Sequence, residues 1–198
     1  MIKGENRKKE LVKIAYNKFI SKGYENTSVD EIIEEAKIAK GTFYYYFESK
    51  EQILEEVVNL MVENGTIKAN EILKSNNSIP EKIAGIIIAF SPNEKEITIR
   101  DTLNNNANII LHNKLNNELI ERMTPMLEEV AKEGNKKGIF SCNNIAERIK
   151  SILILSNNLF NDDKSFTKND IEVFIDIVEK TLGAKTGTMS FINQIIER

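Results

Sequence analysis

The fold is decided by residues 27–51, which read TSVDEIIEEAKIAKGTFYYYFESKE. Within this stretch apolar residues recur at helical spacing over 29–36 and again over 40–47, and only three residues separate the two segments. Ser28 and Glu31 have the spacing of a capping box, which marks the beginning of the first segment. The stretch therefore predicts two short helices joined by a tight turn.

A longer helix is predicted ahead of this pair and another behind it. Leu11, Ile14 and Phe19 lie at helical spacing, and Gly23 then ends the first long helix as a C′ glycine. The second long helix runs from 50 to about 74. Two short helices behind a longer supporting helix form the helix-turn-helix with which many proteins bind DNA.

The second short helix must bury one face and expose the others. Ala36 is small enough for the crossing of the two helices, and Ile38 is an apolar plug for the turn. Phe43 and Phe47 lie four apart and are predicted to pack inward. The remaining side chains of interest fall on other faces: Lys40, Thr42, Tyr44, Tyr45 and Tyr46. Because consecutive aromatic residues span the circumference of a helix, some of the tyrosines must face solvent or a partner.

These residues resemble the TetR family of transcriptional regulators. The string KGTFYYYF over 40–47, followed by Ser49, Lys50 and Glu51, is highly specific to that family. The resemblance covers residues 7–60 well, whereas the rest of the chain matches only in its helical layout. It implies an all-α fold of about nine helices, a homodimer built through the last two long helices, and binding to a palindromic operator in double-stranded DNA.

The resemblance also implies contacts to the DNA backbone. Thr27 and Ser28 correspond to positions where hydroxyl and backbone N–H groups at a helix N-terminus hold a phosphate. Tyr45 and Lys50 correspond to positions that clamp the backbone. Tyr46 is placed where it reaches either bases or phosphate.

A second group of positions is implied to read base edges. Lys40 and Gly41 begin the recognition helix, where a side chain or bare backbone can approach the bases. Thr42 and Tyr44 face the groove. We expect substitutions in this group to change the preference between operators, and substitutions in the backbone group to weaken binding to all DNA alike.

The turn departs from the family pattern. The family usually has Gly-Val-Ser there, whereas this chain has Lys37, Ile38 and Ala39. Loss of the serine removes a hydroxyl that would cap the recognition helix and one expected phosphate contact. The charge of Lys37 is a candidate compensation, with a different geometry.

The rest of the chain is predicted to be helical. The expected helices lie near 80–90, 95–112, 114–134, 143–160, 168–182 and 188–197. Pro125 should kink or break the third of these. We expect a DNA-binding domain over 1–50 and a ligand-sensing and dimerisation domain over 51–198.

The last two long helices are the predicted dimer interface. Their apolar residues are Ile145, Ile149, Ile152, Leu153, Phe160, Ile171, Phe174, Ile175 and Val178. A purely intramolecular core would show the same spacing, so the assignment depends partly on the resemblance.

The resemblance further implies a pocket for a small-molecule effector among the central helices. The candidate lining residues are Phe90, Leu103, Asn104, His112, Met123, Met126 and Leu127. His112 is, by residue type, more often a surface or satisfied core residue than a ligand contact. The asparagine run 104–106 fits either polar pocket lining or a solvated turn. The sequence does not identify the effector.

Composition and charge agree with this reading. Of the 198 residues, 41% are hydrophobic and 29% charged, and three prolines leave room for long helices. The net charge of −3 divides unevenly, because residues 1–50 carry ten Lys/Arg and eight Asp/Glu, while 51–198 carry 17 and 22. A mildly basic head on an acidic body is typical of a nucleic-acid reader with a second domain.

Other classes find little support. The lone Cys142 excludes an internal disulfide and lacks the partners of a zinc site. The N-terminus has no apolar stretch of a signal peptide, and the longest apolar run, 86–90, is too short to cross a bilayer. We therefore expect a cytoplasmic protein. No nucleophile and base, metal set or cofactor motif is recognisable, so we expect neither an enzyme nor a bound cofactor.

Three interpretations stay open at this point. The favoured one is a repressor released from its operator by a small molecule. A TetR-like activator, or a regulator controlled by a protein partner, would show the same sequence features. A helical scaffold with a vestigial helix-turn-helix belongs to another class, and the retained Tyr45 and Lys50 argue against it.

Overall fold

In a computed structural model of the chain, the described residues are 2–104, 108–160 and 166–196. They form helices, turns and loops without a strand, which confirms the all-helical prediction. Their helices, in chain order, are α1 (Ile2–Lys22), α2 (Val29–Glu35), α3 (Lys40–Tyr46), α4 (Lys50–Leu73), α5 (Ile79–Phe90), α6 (Ile97–Leu103), α7 (Ile109–Lys136), α8 (Ile145–Leu159), α9 (Lys168–Leu182) and α10 (Ile192–Ile196).

Local capping explains where several helices begin. The Ser28 hydroxyl accepts a hydrogen bond from the Glu31 N–H, and the Glu31 carboxylate accepts one from the Ser28 N–H. This is the capping box that the sequence predicts. The same reciprocal pairing begins α5 and α9, with Ser78 and Glu81 in one and Thr167 and Asp170 in the other.

One predicted helix boundary is wrong. The sequence pattern predicts helices at 95–112 and 114–134, whereas α6 ends at Leu103 and α7 runs unbroken from Ile109 to Lys136. Asn104 is the C-cap of α6, as expected for a side chain that competes with the helical backbone for hydrogen bonds. Asn105 and Asn106 lie outside the described residues.

Pro125 does not break α7, although the sequence predicts a kink or a break there. Proline removes one backbone hydrogen bond from a helix interior. Met123 and Leu127, on either side of it, are buried in the core. We infer that this burial holds the helix together across the missing bond.

The chain divides into two compact units. The first comprises Met1–Asn64 and Pro92–Asn113, and the second comprises Gly65–Ser91 and Lys114–Arg198. The first unit therefore contains the two short helices and also α6. The domain boundary predicted at residue 50 falls at the start of α4, inside the first unit.

The core of the first unit is built from α1 to α4 and α6. Its fully buried side chains include Leu11, Phe19, Ile32, Phe43, Ile53, Leu54, Val57 and Ile99. Two hydrogen bonds join α1 to the segment at α6: the Tyr16 hydroxyl donates to Glu96 over 2.8 Å, and the Thr98 hydroxyl donates to the Phe19 carbonyl over 3.3 Å. Burial, followed by the bond to Glu96, raises the pKa of Tyr16 to about 12.

The core of the second unit is a single apolar cluster. Its buried members are Ala69, Ile79, Ile83, Ile86, Met123, Leu127, Val130, Ala131, Phe140, Ile149, Ile171, Phe174, Ile175, Val178, Leu182, Met189 and Ile192. At its edge the nearly buried Lys82 ammonium of α5 lies 2.9 Å from the Glu133 carboxylate of α7. Hydrogen bonds from Lys137 and Lys82 lower the pKa of Glu133 to about 2.

This cluster corrects the residues predicted for the dimer interface. Ile149, Ile171, Phe174, Ile175 and Val178 are buried in the core of the protomer itself. Periodic spacing identifies an apolar face without identifying what covers it, and the chain covers this face of α9 itself. The other predicted residues are only half-buried and pack at the margin of the core: Ile145, Ile152, Leu153 and Phe160.

None of the helices in the described ranges combines the length and apolar character needed to span a lipid bilayer.

Candidate nucleic-acid interface

The helix-turn-helix begins with a loop that fixes the start of α2. Gly23 ends α1 with φ of +86°, a left-handed conformation that suits glycine. Tyr24 follows and is buried, with its ring 5.2 Å from that of Phe19 in an edge-to-face arrangement. The loop is therefore anchored in the core of the first unit.

Thr27 does not fit its predicted role as a phosphate contact. Only 1% of it is exposed, its hydroxyl donates to the Gly23 carbonyl, and its N–H donates to the Tyr24 carbonyl. Both donors are used within the protein, so neither is free for DNA. Ser28 is exposed, and its hydroxyl takes part in the capping box.

The turn between α2 and α3 has the geometry of a Schellman motif. Lys37 has φ of 51°, its N–H bonds the Glu34 carbonyl, and the Ile38 N–H bonds the Ile33 carbonyl. This left-handed position is the one where the family usually carries glycine. Lysine adopts it here at a conformational cost that glycine would avoid.

The recognition helix α3 begins without a side-chain cap. Its N-cap is Ala39, which has no side-chain hydrogen bond to the helix. The absence of a cap agrees with the prediction made from the missing serine. The inner face of the helix is nevertheless fixed, because Phe43 and Phe47 are almost completely buried and their rings lie 5.5 Å apart.

The outer surface of α3 is exposed, as predicted. Tyr45 is 80% exposed and Tyr44 is 47% exposed. Lys40 and Gly41 are exposed too, and apart from its chain neighbours and the backbone of its own helix, nothing lies within 4 Å of the space that a Cβ on Gly41 would occupy. The helix thus presents two phenol rings, one ammonium and an open backbone to solvent.

Two further predicted contacts, Thr42 and Tyr46, are partly buried. The Tyr46 ring packs edge-to-face on Tyr45 at 4.9 Å. The structure therefore brings the predicted residues of α3 together on one short helix.

Lys40 has a partner that the sequence reading missed. Its ammonium lies 3.2 Å from a carboxylate oxygen of Asp30 in the first turn of α2. Both side chains are mostly exposed. The two residues are ten positions apart in the chain, and a periodicity analysis misses their contact because it depends on how α2 and α3 pack.

Lys50 also contacts residues from a distant part of the chain. Its ammonium lies 4.1 Å from the centre of the Tyr24 ring and 3.4 Å from the Glu25 carbonyl oxygen. The Tyr24 hydroxyl donates to Glu51, the next residue of α4. Hydrogen bonding by Ser49 is the main cause that lowers the pKa of Glu51.

The residues predicted for an effector pocket do not all share one unit. Leu103, Asn104 and His112 belong to the first unit. Met123 and Leu127 lie in the core of the second unit, with Phe90 and Met126 packed against it. A separate open cleft of about 460 Å³ in the second unit is lined by Asn135, Phe140, Ser141, Cys142, Asn143 and Arg148, none of which was predicted.

The geometry of α1 to α4 defines a DNA-binding protein of the helix-turn-helix class. Two family models match the chain: that of bacterial regulatory proteins of the tetR family over residues 11–57, and that of the tetracyclin repressor-like C-terminal domain over residues 88–180. The chain belongs to the TetR family of transcriptional regulators.

Similar curated proteins match over part of the chain. An uncharacterized HTH-type transcriptional regulator of Bacillus subtilis, YuxN, is 46% identical over 55 residues, 28% of this chain and 19% of that protein. The HTH-type transcriptional repressor KstR2 of Mycolicibacterium smegmatis is 33% identical over 84 residues, 42% of this chain and 41% of KstR2. In Staphylococcus aureus, the negative transcriptional regulator IcaR of the biofilm operon icaADBC is 36% identical over 74 residues, 36% of this chain and 39% of IcaR. The matches span less than half of each relative.

Solved structures match over nearly the whole chain. A putative TetR-family regulator from Mesorhizobium loti has a TM-score of 0.60 at 21% identity, covering 91% of this chain and 96% of the other. RolR without ligand has a TM-score of 0.60 at 21% identity and 96% coverage of both chains. RolR with resorcinol has a TM-score of 0.59 at 20% identity, covering 99% and 95%. At these identities the likeness establishes a shared fold.

Proposed function

We propose that this protein is a dimeric transcriptional repressor that leaves a palindromic operator when a small molecule binds its C-terminal part. The observation that carries the proposal is that the recognition helix α3 has one buried face and one exposed face. Phe43 and Phe47 anchor α3, while Lys40, Tyr44 and Tyr45 face outward. Exposed phenol rings and ammonium groups on a rigid helix suit contact with base edges and phosphates.

The relatives support repression over activation. KstR2 is a transcriptional repressor and IcaR a negative transcriptional regulator. Release by a small molecule draws support from RolR, which has been solved with resorcinol bound. An effector would act by preferring the conformation that does not bind DNA, with a coupling free energy on the order of 1–3 kcal/mol.

A dimer would place two heads on successive major grooves, about 34–36 Å apart. The surface that supports dimerisation is an exposed apolar stripe on α9, opposite the buried face of that helix. It consists of Val173 and Ile177, which are 50% and 37% exposed, and Ile154 on the neighbouring helix α8 is 44% exposed. The proposed interface keeps the predicted pair of helices and replaces the buried residues of α9 with exposed ones.

The experiment is selection of operator sequences from random duplexes, followed by titration of the selected and a scrambled duplex at several salt concentrations. We expect a palindromic operator, a steep negative slope of log K against log salt, and weaker binding to the scrambled duplex. Binding without sequence preference at every salt concentration would contradict the proposal.

Two variants separate backbone contacts from base contacts. Tyr45→Phe combined with Lys50→Ala should weaken binding to the operator and to the scrambled duplex alike. Lys40→Met should change the ranking of operator variants. Equal effects of both changes on all duplexes would overturn this division of roles.

The effector can be sought without knowing its identity. Native mass spectrometry of the purified protein would detect a retained molecule as extra mass lost on denaturation. Leu127→Phe, which enlarges a buried side chain in the core of the second unit, should lower its occupancy, whereas Ile110→Phe, at an exposed position on α7, should leave it unchanged. Equal occupancy in both variants would contradict a pocket near Leu127.

A further inference from the structure

Lys50, one of the proposed DNA-backbone contacts, is held by a side chain from another part of the first unit. Its Nζ lies 4.1 Å from the centre of the Tyr24 ring, well within the range in which an ammonium is attracted to an aromatic face. The Glu25 carbonyl oxygen lies 3.4 Å from the same Nζ. Both partners come from the loop between α1 and α2.

Lys50 needs such partners because of where it stands. It is the first residue of the 24-residue helix α4, whose partial positive charge at the N-terminus disfavours a neighbouring cation. A lysine side chain also has a flexible four-carbon stem and loses rotamer freedom when it binds. Left alone, this ammonium would spend much of its time away from one fixed position.

Tyr24 provides a rigid platform. The residue is only 5% exposed, its ring packs edge-to-face on Phe19, and its hydroxyl donates to a Glu51 carboxylate oxygen over 3.3 Å. These contacts fix both the plane and the edge of the ring. Burial raises the pKa of Tyr24 above its ordinary value, so the hydroxyl stays protonated and keeps donating its hydrogen bond.

The arrangement leaves donor capacity for DNA. An ammonium has three N–H donors. The ring face and the Glu25 carbonyl account for two directions, and the third stays available for a phosphate oxygen. Ordering the side chain before binding reduces the entropy lost when the contact forms.

We propose that Tyr24 is a positioning residue that orders Lys50 for its contact with a DNA phosphate. The inference rests on the proposed function and assigns to a buried core tyrosine a part in affinity. It also explains why the ring of this loop residue meets an ammonium as well as the apolar core.

The test is a double-mutant cycle between Tyr24→Leu and Lys50→Met, with the selected operator and a scrambled duplex as probes. Tyr24→Leu removes the ring face and should weaken binding to both duplexes by about 3- to 10-fold, the range of a cation–π contact. With Lys50→Met already present, Tyr24→Leu should cause little additional loss. Tyr24→Phe keeps the ring face and should restore most of the affinity.

Ile99→Ala is the matched control for general loosening of the core. It shortens a fully buried side chain of α6, and its effect on affinity should be the same with Lys50 or with Lys50→Met. Thermal unfolding of each variant fixes a temperature at which all are folded. An NMR measurement adds a readout specific to the contact: the ε-methylene protons of Lys50 should be shifted upfield by the ring in the wild type and in Tyr24→Phe, and not in Tyr24→Leu.

The outcomes separate the two proposals. Absence of sequence-selective DNA binding by the wild type would contradict the proposed function. Selective binding in which Tyr24→Leu costs the same affinity with and without Lys50→Met would leave that function standing and overturn the positioning role. Unshifted Lys50 protons in the folded wild type would overturn it as well.

Discussion

Lys37 turns the chain from α2 into α3 with a left-handed backbone, φ of 51°. A left-handed backbone costs a residue with a Cβ about 1–2 kcal/mol of folding free energy. Glycine avoids this strain, but it loses more backbone entropy on folding, which offsets part of the gain. Lys37→Gly should therefore stabilise the protein by about 0.5–1 kcal/mol, measured by urea unfolding. Lys37→Ala removes the charge and keeps the strain, so equal gains from Gly and Ala would contradict this account.

The ion pair between Asp30 and Lys40 would have to open for Lys40 to make its proposed contact with DNA. The two groups are 3.2 Å apart and mostly exposed, so their pair contributes about 0–1 kcal/mol. Asp30→Asn should raise operator affinity by about 2- to 5-fold, because the ammonium no longer has to leave a carboxylate. Glu34→Gln changes the same charge one turn along α2 and should have the smaller effect. In a Lys40→Met background Asp30→Asn and Glu34→Gln should raise affinity equally. A larger gain from Asp30→Asn in that background would contradict the role of the ion pair.

At the scale of helices, local signals could be predicted from the sequence and long-range ones could not. The capping box of Ser28 and Glu31 lies within four residues, and the structure confirms it. The contacts of Lys40 with Asp30 and of Lys50 with Tyr24 span 10 and 26 positions of the chain, and no periodicity encodes them. The apolar spacing of Ile171, Phe174 and Val178 on α9 likewise does not reveal which surface covers them, and the structure shows these residues buried within the protomer.

The uncapped start of α3 gives an element-scale prediction. Ala39 has extended backbone angles that suit an N-cap, φ −73° and ψ 150°, and lacks a side-chain acceptor. Ala39→Ser should stabilise the protein by about 1 kcal/mol in urea unfolding, because its hydroxyl can accept a hydrogen bond from a backbone N–H of the first turn. Ala39→Val offers no acceptor and should not stabilise. A gain in stability with Ala39→Val would show that the effect has a cause other than capping.

The start of α2 should respond to acid. Hydrogen bonding to Lys22, followed by the bond from the Ser28 N–H, lowers the pKa of Glu31 from 4.5 to about 2. Because the folded-state pKa is depressed, this stabilisation is complete above about pH 4.5 and is lost as the pH falls toward 2. The slope of unfolding free energy against pH over this range should be smaller in Glu31→Gln than in the wild type. Equal slopes in the two proteins would contradict a stabilising ionised Glu31.

At the scale of the molecule, the proposed palindromic operator has two half-sites that two heads would occupy, so dimerisation and operator affinity should be lost together. Val173 and Ile177 lie four apart on α9 and face away from the protomer core, so Val173→Glu with Ile177→Glu places charges at the proposed interface without disturbing that core. We expect a shift to monomers in sedimentation and a large loss of operator affinity with unchanged helical content. Glu172→Lys, an exposed charge change on the same helix, controls for altered electrostatics. A double variant that stays dimeric would show that the dimer interface does not include this stripe. A monomer that binds the operator as tightly as the wild type would contradict the requirement for two heads.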